Sequence, residues 1–439
     1  MTEQGSPTTG ANNLDPWYSH YAQRTSGLSA SEVRALFAVA SRPEVVSLAG
    51  GMPYVSALPE DLVVNAMDRV MRERGPVALQ YGSGQGVPRL REQILDVMAL
   101  EGISGSADDV VITTGSQHAL ELFSKLFIDP GDVVLAEGPS YVTAMVIFKS
   151  YQAQVEHVPM DAEGLIPEAL REHIARMKAA GKRIKFLYTV PTFHNPAGVT
   201  LTWERRLEIL QIARDNDILV LEDNPYGLLY FGQRAPDAMR SVERDGVVYL
   251  GTFSKTLAPG FRVGWALAPH AIREKLILAN EAAVLSPSSF TQLVISEYLS
   301  DADWRGQIDT FRSVYRERKE TMISALSEHL PELSWTNPNG GFYVWLTLPD
   351  ELDSKAMLPR AVKELVAYTP GTAFYADGSG AQNIRLSFCY PTPESIRVGI
   401  RRLATVINGE RDLLDTFAGT GSLNAIRQNR DYNPPTDLR

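Results

Sequence analysis

The chain has one cysteine, Cys389, among 439 residues, so it cannot close an internal disulfide and a reducing compartment is expected. It also lacks any apolar run of roughly 18 residues, the length a membrane-spanning helix needs. No basic segment followed by an apolar stretch stands at its start, so no secretory signal is expected and a cytoplasmic location is. A basic excess is missing too. Forty-two Lys and Arg stand against 52 Asp and Glu, a net charge of −10, and phosphate-rich or anionic-membrane partners depend on the opposite sign. The seven histidines are scattered, with no His-Glu-x-x-His and no cysteine pair, so no metal site is expected. Gly-x-Ser-x-Gly, the turn that exposes a serine nucleophile in many hydrolases, is absent as well.

What is present is ordinary for a folded protein. Apolar residues make up 44% and charged residues 21%, enough for a large core, and the length suits two or three domains. From 110 to 268, short β-rich runs alternate with amphipathic helical stretches. The strand candidates are VVIT (110–113), VVLAE (133–137), IKFLYTV (184–190), ILVLED (218–223), VVYLGT (247–252) and RVGWALA (262–268). They are apolar on both faces, as strands between two helix layers must be, and helices are expected at 31–41, 117–128 and 203–215. This alternation predicts an α/β fold with a mostly parallel sheet. Beyond it, a long helix at 303–329, the strands FYVWLTL (342–348) and IRLSFCY (384–390), and a helix at 393–407 predict a smaller α+β domain. The expected division is a flexible arm (1–30), a segment packing with the small domain (31–60), a large domain (61–305), the small domain (306–416) and a mobile tail (417–439).

The chemistry lies at the ends of the predicted strands. Gly82, Gly84 and Gly86 imitate a dinucleotide loop, but the spacing G-x-G-x-G without a preceding strand reads better as a plain loop. TTGSQHAL (113–120) sets Ser116 and Gln117 at a strand-to-helix turn, where free N–H groups and the helix dipole favour an anion; an N-cap would use Ser116 equally well. Asp223 closes a strand at the edge where open α/β sheets bind ligands, although it would also suit a turn with Asn224 and Pro225. Tyr226 follows three residues on. TFSKTLAPGFRVGW (252–265) is the sharpest segment: Lys255 follows a buried strand, and apolar surroundings lower a lysine's pKa until it serves as nucleophile or base. Thr252, Ser254 and Arg262 add donors suited to a phosphate. Taken alone, each of these residues has a structural explanation; it is their order that carries the argument.

In that order the residues resemble the pyridoxal 5′-phosphate enzymes of the aspartate aminotransferase fold, class I/II, and especially the 2-aminoadipate and kynurenine aminotransferase branch. The resemblance rests on SLAGGMP (47–53), ALQYGSGQG (78–86), TTGSQ (113–117), NPAG (195–198), LED (221–223), TFSK (252–255), Arg262 and RLSF (385–388). It covers the chain from about 31 to 407. It implies a large domain with a seven-stranded, mostly parallel sheet between helices, and a dimer with shared active sites. It further implies that Lys255 forms the Schiff base with the cofactor and shuttles a proton. Asp223 would keep the pyridine nitrogen protonated. Asn195 and Tyr226 would bond the phenolic oxygen, and Tyr141 would stack on the ring. Ser116, Gln117, Thr252, Ser254 and Arg262 would hold the phosphate, joined by Tyr81 from the neighbouring subunit. Arg385 would clamp the substrate carboxylate, with Gly51 and Asn195 beside it and Arg34 facing the substrate side chain.

Four positions depart from the family pattern: Leu58 stands where Phe is usual, Gly138 replaces an acidic residue, Ala197 replaces Thr and Thr252 replaces Ser. They bear on substrate identity more than on the reaction. The implied activity is transamination between an amino acid and a 2-oxo acid by a ping-pong cycle. The amino acid is expected to be aromatic, arylglycine-like or 2-aminoadipate-like, since Trp17, Tyr18, Tyr21, Phe342 and Tyr343 lie in segments bordering the pocket in relatives. A lyase, cyclase or oxidase on the same scaffold stays open, because fold does not fix the outcome. A regulatory module fused to a DNA-binding domain is disfavoured by the acidic charge.

Overall fold

The computed structural model describes residues 16–27 and 42–428. The expected helix at 31–41 and the candidate Arg34 lie outside the described residues. In chain order the strands are β1 (Val46–Ser47), β2 (Val110–Thr113), β3 (Val133–Gly138), β4 (Gln154–Asp161), β5 (Gly164–Leu165), β6 (Ile184–Thr189) and β7 (Leu219–Asp223). They continue with β8 (Val247–Thr252), β9 (Gly264–Leu267), β10 (Ser334–Trp335), β11 (Tyr343–Thr347), β12 (Val366–Ala367), β13 (Thr369–Pro370) and β14 (Asn383–Ser387).

The large sheet runs β2-β9-β8-β7-β6-β3-β4-β5. It has eight strands where seven were expected. The extra one is the two-residue β5, which folds back antiparallel on the edge strand β4 through Met160↔Leu165 and Asp161↔Gly164. The pairs β3–β4, β3–β6, β6–β7 and β7–β8 are parallel, whereas β9 runs antiparallel to both neighbours.

The strands alternate their side chains between two cores, as a period of two demands. Val134, Ala136, Phe186, Tyr188, Leu221, Val248 and Leu250 face one layer, built on helices Ser116–Phe127, Val142–Ser150 and His270–Val284. Val133, Leu135, Leu187, Val220 and Val247 face the other, built on helices Pro167–Ala179 and Trp203–Asp215. Every central strand is therefore apolar on both sides, which is why these runs are legible in the sequence.

A second sheet, β10-β11-β14-β13, is antiparallel and packs on the 26-residue helix Trp304–His329 and the helix Pro393–Gln428. The latter runs well past the expected stop at 407. Among the described residues no helix is long and apolar enough to cross a membrane.

In the large sheet the chain reverses direction around β3: β4 lies on one side of it, and β6, β7 and β8 follow on the other. Crevices at such reversals, beyond the carboxyl ends of the strands, are where open α/β sheets bind ligands. Residues after β2, β3, β6, β7 and β8 therefore converge on one edge.

Candidate active site

A cavity of about 290 Å³ opens at that edge. It is lined by Gly51, Ser116, Gln117, Tyr141, Asn195, Asp223, Tyr226, Thr252, Ser254, Lys255, Arg262 and Arg385, with Met52, Val142, Pro259 and Tyr343 among the remaining walls. Twelve residues singled out from seven stretches of sequence thus meet in one place. Tyr81 is not among the lining residues: it is 79% exposed, on a patch with Leu79 and 286–289.

Lys255 sits in the connection from β8 to β9. Its Nζ donates to the Gly51 carbonyl at 3.0 Å and stands 5.7 Å from the Phe342 ring. Burial lowers its pKa, and the nearby Arg385 and Arg262 push in the same direction. A larger share of neutral amine, the form that attacks a carbonyl or takes a proton, is the chemical result.

Asp223 ends β7 and is 6% exposed. Tyr188, on the adjacent strand β6, donates to its Oδ2 at 2.9 Å, while Oδ1 is buried with no partner. Burial raises its pKa to about 6, with the Tyr188 bond acting in the opposite sense. A buried carboxylate oxygen without a donor is costly unless something cationic or N–H-bearing meets it.

The anion corner forms between β2 and β9. Gly115, at φ +82°, is the N-cap of helix Ser116–Phe127 and brings no side chain to it. Ser116 is therefore the first helical residue and not the cap, which leaves its hydroxyl available. Arg262 is held in the left-handed region at φ +51°, with its Nη2 3.3 Å from the Thr114 carbonyl. A Cβ on Gly115 would stand 2.7 Å from that guanidinium, and one on Gly264 would stand 2.3 Å from the Ser116 nitrogen. The corner is cramped by backbone, as a cradle of N–H groups must be. Thr252 Oγ1 lies 2.9 Å from Ser254 Oγ at its rim.

Arg385 comes from β14 in the other sheet. It is 4% exposed, and its Nη1 donates to Asn195 Oδ1 at 2.9 Å while Nη2 donates to the Ala49 carbonyl at 2.6 Å. Thr369 Oγ1 is 3.3 Å away, and the Arg385 Nε is buried without a partner. Arg385 thus bridges the two sheets and carries spare donor capacity into the cavity.

The sequence reading missed Tyr188, Thr369 and the backbone of Ala49. Tyr188 had one available signal, a phenol in an otherwise apolar two-faced strand. Thr369 and Ala49 had none.

Pyridoxal phosphate fits this set. It needs a carboxylate for its ring nitrogen, an amine for its aldehyde, donors for a phosphate and hydroxyl or amide groups for its phenol oxygen. Asp223 Oδ1, Lys255 Nζ, the Gly115–Gln117 turn with Arg262, and Tyr226 with Asn195 match these in turn.

The family model described as aminotransferase class I and II matches residues 44–403. An aromatic-amino-acid aminotransferase of Thermococcus litoralis is 39% identical over 395 residues, covering 89% of this chain and 94% of that one. A 2-aminoadipate transaminase of Thermus thermophilus is 36% identical over 398 residues, 90% of this chain and 98% of that one. Among solved structures, a kynurenine aminotransferase of Pyrococcus horikoshii superposes with a TM-score of 0.87 at 39% identity, covering 91% of this chain and 99% of that one.

Proposed function

The chain belongs to the class I and II aminotransferases, a pyridoxal-phosphate enzyme moving amino groups between amino acids and 2-oxo acids by a ping-pong cycle, and from that premise we propose which residues do the work and on which side chains. When bound, the cofactor supplies an electron sink for negative charge at the substrate α-carbon, which no side chain provides. Lys255 holds the cofactor and, once released, carries the α-proton on its Nζ; its lowered pKa supports both tasks. Asp223 Oδ1 accepts the ring N–H. Tyr226 and Asn195 address the phenolic oxygen, and Tyr141 covers the ring. Ser116, Gln117, Thr252, Ser254 and Arg262 bind the phosphate.

Arg385 takes the α-carboxylate, with the Gly51 backbone beside it. Fixing that group orients the Cα–H bond toward Lys255, so binding strength is converted into rate. The enzyme works as a cytoplasmic homodimer in which exposed Tyr81 reaches the phosphate site of a second copy. Exposed apolar residues along the helix Glu60–Ala78 that leads to it and just beyond (Val64, Met67, Met71, Val77 and Leu79, all at least 38% exposed) support that arrangement.

The amino acid is aromatic or arylglycine-like. The single observation carrying this is that the described cations of the cavity, Lys255, Arg262 and Arg385, are each committed. The side chain is then left with Met52, Val142, Pro259 and Tyr343. The relatives' names divide between aromatic substrates and 2-aminoadipate. A 2-aminoadipate reading would require Arg34 to meet the second carboxylate. Single-turnover measurements with phenylalanine, kynurenine, phenylglycine and 2-aminoadipate, following loss of the lysine-bound cofactor's visible band, test the assignment. Faster reaction with the aromatic set is expected; a tenfold preference for 2-aminoadipate would reverse it.

A further inference from the structure

Tyr343 opens β11 and lines the cavity at 3% exposure. Its ring centre lies 4.3 Å from the Arg385 guanidinium carbon, and that of Phe374 lies 4.9 Å from the same atom. Two aromatic rings thus confine the cation that meets the carboxylate, and their quadrupoles favour its charge where water is scarce.

The phenol end is equally constrained. A Cβ on Gly51 would fall 1.9 Å from Tyr343 Oη, so the hydroxyl occupies the space that a side chain at 51 would fill. It therefore lies between the two elements assigned to the α-carboxylate, the Gly51 backbone and Arg385. Tyr226 Oη lies 3.4 Å from Tyr343 Oη, a long hydrogen bond between two hydroxyls in which either can donate. Once Tyr226 turns its single proton to the cofactor's phenolic oxygen, the Tyr343 proton is left, among the described residues, with this long contact to a neutral hydroxyl oxygen. Burial raises its pKa, so that proton stays in place at neutral pH. A buried O–H held only by so long a contact gains when a charged ligand oxygen replaces it.

We propose that Tyr343 is a third anchor for the substrate α-carboxylate: its O–H donates to one carboxylate oxygen while its ring keeps the Arg385 guanidinium flat for the other. The proposal rests on the reading of Arg385 as the carboxylate clamp. It gives the hydroxyl a role that an apolar aromatic at 343 could not fill, since the ring alone would confine the arginine but donate nothing. Its use is to restrict rotation of the carboxylate about its bond to Cα, which a lone arginine leaves freer.

The test uses 3-phenylpropionate, a carboxylate with an apolar side chain and no amine, titrated calorimetrically into the cofactor-loaded protein. Tyr343→Phe is expected to weaken binding about tenfold, the loss of one hydrogen bond to a charged group. It should lower kcat/KM for the amino acid by at least that factor, with kcat falling as well because a freer carboxylate holds the Cα–H bond less firmly toward Lys255. Gly51→Ala, which displaces the hydroxyl by a different route, should weaken binding likewise. The pH titration of the cofactor's visible band should not move in Tyr343→Phe. Unchanged affinity in Tyr343→Phe, when Arg385→Gln has lost binding, would overturn the anchor and leave the clamp intact. Full binding by Arg385→Gln would overturn both. A shifted band with unchanged affinity would assign the hydroxyl to Tyr226 and overturn the proposal as well.

Discussion

Tyr188 donates to one oxygen of Asp223 at 2.9 Å and leaves the other buried and unpaired. The phenol fixes the carboxylate's orientation, and burial raises its pKa to about 6. A group whose pKa rises on folding binds protons more tightly when folded. Without cofactor, its contribution to stability is therefore greatest at low pH and is lost as pH climbs from about 4 through about 6. Binding a ring N–H requires the opposite form. Cofactor affinity should thus fall about tenfold per unit below pH 6, and Asp223→Asn should abolish that slope. Absorbance titrations between pH 5 and 8 measure it; a flat profile in the parent protein would contradict the role.

Lys255→Ala should bind the cofactor without the visible band of a lysine-bound form, and turnover should drop by at least about 10³-fold. The readout is a spectrum and a steady-state rate. Retained turnover would remove Lys255 from the mechanism.

Arg385→Lys keeps the charge but not the fork, and cannot reach Asn195 Oδ1 and the Ala49 carbonyl together. KM for the amino acid should rise by about 10- to 100-fold, with a lower melting temperature because the bridge between the sheets is broken. Equal KM values would show that the carboxylate docks elsewhere.

Gly264→Ala would drive a methyl group toward the Ser116 nitrogen, which is backbone and cannot swing aside. A destabilisation of about 1–3 kcal/mol in urea unfolding is expected, together with cofactor loss on dialysis. Gly260→Ala has open space around its Cβ and is the matched control, expected to lie within about 0.5 kcal/mol of the parent.

The large sheet is legible because its central strands are buried on both faces, so Val133–Ala136 or Val247–Leu250 read as unbroken apolar runs. Strand β4 escaped because QVEHVPMD is a partly exposed edge carrying Pro159, where neither composition nor period signals a strand. The helix beginning at Pro393 outran its expected end because Gly409 weakens the pattern without stopping it. In the site, Lys255, Asp223 and the Ser116–Gln117 turn are visible because each lies at, or starts within three residues of, the end of a strand. The contact between Asn195 and Arg385 joins residues 190 apart and depends on how two sheets meet. No local pattern encodes that, and only the family resemblance brought the pair forward.

Thr252 and Gly264 face each other across β8 and β9, so the stretch carrying Lys255 is stitched to the sheet at both ends. The nitrogen must make its excursions on its own hydrocarbon leash, because the main chain beneath it has no slack to lend. Shortening that leash leaves a gap that no backbone shift can close. A small free amine diffusing into the vacated channel of an alanine variant is the kind of substitute that could take up the dropped proton.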